Sequence, residues 1–350
     1  MNFKGNTKLL LSILGLAMVF ACCKESLTPP EATPYLLEKP YSRFPDVVIP
    51  ADNPMTVEGI ALGRRLFYDS ILSADFTQSC ASCHQQGSAF SDPKRFSVGI
   101  DGMAGNRNAP AIINQLWSTD FFWDGRRQSL EEQAIDPVPD PIEMHLEWPV
   151  AEQRLNDHDS YPDQFLKAFG EKNITKELVV KAIAQFERTL ISANSKYDRR
   201  LRGLENLNDQ EFRGFEIYFT EKGDCFHCHG GVLLTDNLFH NNGLDSVFTD
   251  KGREMVTGNT NDRGKFKSPT LRNIEVTGPY MHDGRFETLE EVIDFYSEGI
   301  TFSSTIDPLM KNVDQGGIGL NPMEKADLIA FLKTFTDQEF LTKEEFSNPF

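Results

Sequence analysis

Apolar positions recur at helical spacing in four stretches of the chain, and period-two alternation is scarce. Leu62, Leu66 and Phe67 make one stripe, with the small Gly59 and Gly63 on the same segment. Val179, Ala182, Ile183, Phe186 and Leu190 make a longer one, a helix expected to end near the charged Tyr197-Asp198-Arg199-Arg200. Phe212, Phe215 and Phe219 form a third stripe, and Leu328, Phe331, Leu332 and Phe335 a fourth. Residues three and four apart share one helix face, so each stripe predicts an amphipathic helix laid on a core. The fourth carries its own start signal: Asn321 can cap, Pro322 takes the first helical position, and Glu324 closes a capping box. The class is mainly α.

The N-terminus has a different pattern. Lys4 and Lys8 lead into Leu9–Phe20, an apolar run of 12 residues, too short to span a bilayer comfortably. Residues 1–21 therefore read as a signal peptide. Val19-Phe20-Ala21-Cys22 is a loose lipobox, so Cys22 is expected to become the acylated end of a periplasmic bacterial lipoprotein. Ordinary cleavage nearby is the alternative. Prolines 29, 30, 34, 40, 45, 50 and 54 then interrupt a stretch without periodicity, which predicts an extended tether over 22–54.

A repeat organises the rest of the chain. Pro110 precedes Asp124-Gly125-Arg126 and Ser129-Leu130-Glu131-Glu132; Pro269 precedes Asp283-Gly284-Arg285 and Thr288-Leu289-Glu290-Glu291. Each matched pair is 159 positions apart (269 − 110, 283 − 124, 288 − 129). Ser129 and Thr288 both open a capping box, so each copy starts a helix at the same place. Two similar halves are expected, 55–200 and 201–340, joined near 196–208.

Charge changes the picture modestly. The 350 residues carry a formal net charge of −17, and removing Lys4 and Lys8 with the signal makes it −19. Such a body repels nucleic acid and anionic lipid and steers basic partners toward itself; an acidic surface kept for solubility accounts for it equally well.

The chemistry lies at the cysteines. Cys22 and Cys23 belong to the export signal, which leaves Cys80, Cys83, Cys225 and Cys228. Cys80-Ala81-Ser82-Cys83-His84 and Cys225-Phe226-His227-Cys228-His229 are both Cys-x-x-Cys-His, the spacing that attaches c-type haem. The two thiols reach the two vinyl groups of one porphyrin, and the next histidine lies beneath the iron. A single copy also fits a redox dithiol, a disulfide or half of a zinc site. Two copies, one per half, argue for two haems.

The sixth iron position separates a catalyst from an electron carrier. Eight residues beyond Ser129 stands Pro137, which cannot ligate; eight beyond Thr288 stands Tyr296, which can. Tyr296 also fits a core stripe with Leu289, Val292 and Ile293, and Met281 and Met323 are further candidate ligands for the second iron. Near the first, Gln133 and Glu143 are the polar residues to weigh. A carboxylate there can move a proton between peroxide oxygens, although spacing alone equally describes Glu143 as a solvated loop acid after Pro137-Val138-Pro139-Asp140-Pro141.

From about Pro50 to Asp337 the chain resembles the bacterial di-haem cytochrome c peroxidase and MauG family. The matching segments include Arg107-Asn108-Ala109-Pro110, Phe122-Trp123-Asp124-Gly125-Arg126, the run from Gln133 to Glu143-Met144, Glu187-Arg188-Thr189-Leu190-Ile191-Ser192-Ala193 and Gly278-Pro279-Tyr280-Met281-His282-Asp283-Gly284. The resemblance implies two cytochrome c-like helical domains, each with one covalent haem c, the first peroxidatic and the second receiving electrons. It implies that Glu143 and Gln133 handle peroxide and that Trp123, otherwise a core indole, relays electrons between the haems. It implies an interface calcium held by Asn108, Thr277 and the Pro279 carbonyl, a site of oxygen ligands that suits this hard cation. His282 matches a histidine near the second haem. Implied partners are hydrogen peroxide and a small cytochrome c or cupredoxin donor, and members are often homodimers.

Two departures matter. Many members carry a histidine sixteen residues after the first proximal histidine, capping the iron until the second haem is reduced; here Ile100 stands there and cannot ligate. The second is Tyr296, where a methionine ligand usually falls. Both features resemble the MauG branch, whose type member oxidises tryptophans of a partner protein. Peroxide reduction is thus the leading expectation, with a MauG-like oxidase and a plain di-haem carrier as alternatives. His145, His158 and His240 are read as surface or packing residues.

Overall fold

The computed structural model describes residues 1–2 and 31–350, so the signal segment and Cys22 lie outside the described residues. Each half is built on one crossed helix pair. Helix Val57–Tyr68 crosses Lys176–Arg188, and helix Asp209–Tyr218 crosses Pro322–Lys333. Each crossing runs through a glycine. A Cβ on Gly63 would stand 1.8 Å from the Ala182 carbonyl oxygen, and one on Gly214 2.0 Å from that of Asp327. Backbones approach this closely only where no side chain intervenes. Three of the four predicted stripes fill the space around these contacts; in the third, Phe212 is exposed and Phe215 and Phe219 are only partly buried, while Ile217 and Tyr218 face the core instead. Leu62, Leu66, Phe67, Val179 and Phe186 are buried in one core, and Leu328, Phe331, Leu332 and Phe335 in the other.

Local signals set the helix starts. Thr56 accepts from the Gly59 amide, and Asn321 and Glu324 form the expected capping box behind Pro322. The repeat is visible in the backbone. Bridges Phe121↔Arg127 and Tyr280↔Phe286 close equivalent turns, with positive φ at Phe122 and Met281 (65° and 72°) and at Asn114 and Asn273 (56° and 57°). Ser129 and Thr288 then cap the helices Leu130–Ile135 and Leu289–Asp294. The only sheet among the described residues is the antiparallel pair Phe239–His240 and Phe266–Lys267. Among these residues no helix is long and apolar enough to cross a membrane.

Three sequence expectations change. The helix from Lys176 ends at Arg188, and Lys196–Leu201 is a separate helix capped by Ser195. Between them, side chains take the backbone groups a continuing helix would need. Asn114 bonds both ways with the Ser192 backbone, and Asp337 accepts from the Ala193 and Asn194 amides at 2.9 and 2.8 Å.

The halves also exchange ends. Tyr197 packs into the second core, whereas Phe340 and Phe346, beyond the last long helix, pack into the first. Arg64 and Tyr68 hold that returning segment through the carbonyls of Ser347 and Phe346.

Residues 31–54 are no free tether. Tyr35 bonds to Met55, and Phe44 is only 2% exposed. Its ring packs against Tyr41 and Trp117, with the Arg272 guanidinium over its face. Tyr41 Oη donates at 2.6 Å to Asp198, whose carboxylate pairs with Arg272 at 2.8 Å on both oxygens. Prolines punctuate this strap, and its aromatic residues anchor it across both halves.

Candidate functional site

Each cysteine motif forms a tight turn that turns its histidine inward. Cys80–Cys83 is one helical turn boxed by Ser79 and Ser82, and the His84 amide bonds back to Cys80 at 2.9 Å. In the second half the His229 amide bonds to Cys225 at 3.0 Å. His84 Nδ1 lies 2.8 Å from the Phe90 carbonyl, and His229 Nδ1 3.1 Å from that of Pro269. A carbonyl on Nδ1 fixes the tautomer and leaves Nε2 as a metal donor. Burial pushes both imidazoles toward the neutral form, His229 down to about 4.

The four thiols are free, and burial raises Cys80, Cys83 and Cys225 above the usual thiol range. That is the reverse of an activated redox cysteine. Cys83 lines one cavity and Cys225 and Cys228 another, so the two pairs do not converge on one zinc site. Paired thiols with a neutral, oriented imidazole at each of two cavities fit a covalently held haem in each half.

The first cavity, about 1110 Å³, is lined by Cys83, His84, Trp123, Gln133, Pro137 and Glu143. The expected peroxide-handling pair is therefore brought together in the cavity that holds the histidine. Burial, with Asp140 nearby, pushes the Glu143 carboxyl up to about 7. The loop carrying Ile100 is fastened beside it. The Ile100 amide donates to the Glu143 carbonyl at 3.0 Å, and a Cβ on Gly99 would lie 2.3 Å from the Ile142 carbonyl oxygen. His145, read as a surface or packing residue, is half exposed and also holds the same loop through Asp101 at 2.6 Å. Glu187, in a matched segment but without an assigned role, also lines this cavity, and burial raises it to about 8.

The second cavity, about 250 Å³, is lined by Cys225, Cys228, His229, Met281 and Tyr296. Tyr296 sits on a π-turn, Phe295–Gly299, that ends the helix begun by Thr288. Such turns commonly re-aim one functional side chain. Its ring is half-buried at the cavity wall, and desolvation pushes the phenol up to about 12. Met323 is excluded as a ligand, because it lies 68% exposed on the first turn of its helix. His240, read as a surface or packing residue, packs beside Cys228 and is clamped by Asp236 and Asp307 at 2.7 Å each. His158 does pack locally, accepting from the Ser160 amide against the Tyr161 ring.

Trp123, Asn108, Lys267 and His282 line both cavities and so form the wall between them. The Trp123 carbonyl accepts from the Lys267 amide at 2.8 Å. His282 stacks on Phe266 with centroids 3.7 Å apart. Arg107 ties the halves together through Asp124 at 2.6 Å and Asp250 at 2.7 Å. Asn108, Thr277 and Pro279, expected around calcium, share the second cavity's wall. Sequence reasoning misses Lys267, whose ammonium burial pushes down to about 8, and Asn242. Neither belongs to a motif, and only the fold brings them to the cavities.

The comparisons agree with this geometry. Residues 57–206 match the family model described as di-haem cytochrome c peroxidase. The chain is 33% identical to the methylamine utilization protein MauG of Methylophilus methylotrophus, over 84% of this chain and 87% of that protein. It is 36% identical to the cytochrome c551 peroxidase of Nitrosomonas europaea, over 83% and 84%. Among solved structures, a MauG-like protein associated with microbial copper homeostasis superposes with a TM-score of 0.82 at 38% identity, covering 88% of this chain and 98% of that one. The chain belongs to the di-haem cytochrome c peroxidase and MauG family.

Proposed function

We propose that the protein is a periplasmic di-haem peroxidase that reduces hydrogen peroxide to water, H2O2 + 2 e− + 2 H+ → 2 H2O. The observation that carries the reading is that Glu143 and Gln133 line the same cavity as His84, with the Glu143 carboxyl raised to about 7 by burial. Bound haem, held by Cys80, Cys83 and His84 and by Cys225, Cys228 and His229, supplies the iron redox chemistry. The chain does the rest. Glu143 accepts the proton of the inner peroxide oxygen and returns it to the outer one, which leaves as water. Gln133 orients the oxygens by hydrogen bonding. Ile100 offers no ligand, so the first site needs no reductive opening.

Two electrons enter at the second half from a small cytochrome c or cupredoxin and pass the Trp123 wall. Tyr296, which lines the cavity with His229, would supply a further iron ligand to the second haem in this reading. Asn108 spends its amide nitrogen on the Lys94 carbonyl at 3.0 Å, which leaves its oxygen for calcium with Thr277 and Pro279. Cys22 carries the lipid anchor.

A second reading, a MauG-like oxidase of a protein or organic substrate, is favoured by Tyr296 lining the second cavity and by the fastened Ile100 loop. Steady-state turnover of peroxide with a reduced small cytochrome or cupredoxin separates them. Sustained donor oxidation supports the peroxidase. Negligible donor oxidation with a long-lived oxidised state supports the oxidase.

A further inference from the structure

We infer that the second haem site holds two alternative ligands for one coordination position, Tyr296 and Met281, and that Asn242 decides between them. The inference rests on the reading that haem is bound through His229 with Tyr296 opposite.

Three observations meet here. The first is a shared donor. Asn242 Nδ2 donates to Tyr296 Oη at 3.0 Å and approaches Met281 Sδ at 3.6 Å, so the phenol oxygen and the thioether flank one nitrogen. Both side chains line the cavity that holds His229.

The second is the backbone at Met281. Its φ of 72° is a conformation that side-chain-bearing residues seldom adopt, in a turn held by the Gly284 amide on the Met281 carbonyl at 3.1 Å. Outliers of this kind gather at ligand sites.

The third is the repeat. Phe122 stands at the position of Met281 with φ 65°, and Pro137 at the position of Tyr296. Both line the first cavity, and the Arg126 guanidinium covers the Phe122 ring at 3.4 Å. One fold thus places two residues toward each cavity from the same two points. In the second half both can ligate iron; in the first neither can. An open first site and a closed second one are encoded twice.

The amide sets the order. The Asn242 amide holds the phenol oxygen at 3.0 Å and stands farther from the thioether, at 3.6 Å, so it orients Tyr296 into the shared position and keeps Met281 to its side. With Asn242 in place Tyr296 holds the position and Met281 stands in reserve. Asn242 is a positioning residue, since it acts through these two side chains.

The test uses the full-chain holoprotein, with haem counted by pyridine haemochrome and ligation read by electron paramagnetic resonance and near-infrared magnetic circular dichroism. Wild type should show a phenolate-ligated second haem. Tyr296→Phe should keep two haems and gain the charge-transfer band of a thioether ligand. Adding Met281→Leu should abolish that band and leave the second haem high-spin, and Asn242→Leu should show the thioether band with Tyr296 still present. A Tyr296→Phe protein with two haems and no thioether band overturns the reserve role of Met281 while leaving Tyr296 as ligand. A wild type without phenolate ligation overturns the underlying reading itself.

Discussion

The indole N–H of Trp123 donates to the Asn108 carbonyl at 2.8 Å, and the Asn108 amide donates in turn to the His282 carbonyl at 2.8 Å. This pair of bonds runs across the wall between the cavities. It fixes an aromatic ring from the first half against a turn of the second.

Trp123→Phe should therefore separate structure from electron flow. The lost hydrogen bond should cost about 1 kcal/mol in denaturant unfolding. Haem content should stay at two, while stopped-flow electron transfer between the haems slows. Unchanged transfer would make the indole a structural residue only.

Glu143 gives a pH prediction of defined sign. Burial raises its carboxyl to about 7, so the base that accepts the first proton forms as pH rises through that value. At low substrate the rate should climb through a limb near pH 7 that Glu143→Gln removes, with turnover down about 10²- to 10⁴-fold and haem intact. Stability runs the other way. A carboxyl raised in the fold contributes fully below its unfolded value of 4.5, and that contribution is lost as pH rises through about 7. Glu143→Gln should narrow the stability difference between pH 5 and pH 8, as measured by urea titration.

The Arg272–Asp198 pair predicts the cost of undoing the strap. Both side chains are 1% exposed or less, and Tyr41 closes the network from the N-terminal segment. Asp198→Ala strands a buried guanidinium and should cost about 3 to 5 kcal/mol. Tyr41→Phe loses one charge-assisted hydrogen bond and should cost about 1.5 to 3 kcal/mol. Denaturant unfolding followed by tryptophan fluorescence checks both, since Trp117 packs on Phe44 of the strap.

The features legible in the sequence are the local ones. Helix stripes and caps depend on spacings of three to eight residues. Thr288 and Asn321 form the boxes their spacing predicts; Ser129 caps the Glu132 amide, but the Glu132 carboxylate takes the Gln128 amide and the box does not close. The cysteine motifs are equally local. The stripe pattern carries the long helix too far because its stop is made by Asn114 and Asp337, both distant in the chain. The strap reads as a tether because its prolines outweigh a single Phe44 whose pocket lies in both halves. Asn242 and Lys267 are invisible to sequence reasoning for the same reason: their chemistry depends on partners 54 and 149 positions away.

The asymmetry of the two sites is the central claim, and the resting ferric protein reports it directly. Low-temperature electron paramagnetic resonance of the oxidised holoprotein, with no prior reduction, should show one high-spin and one low-spin haem. Two low-spin haems would contradict the open first site, and with it the role assigned to Glu143.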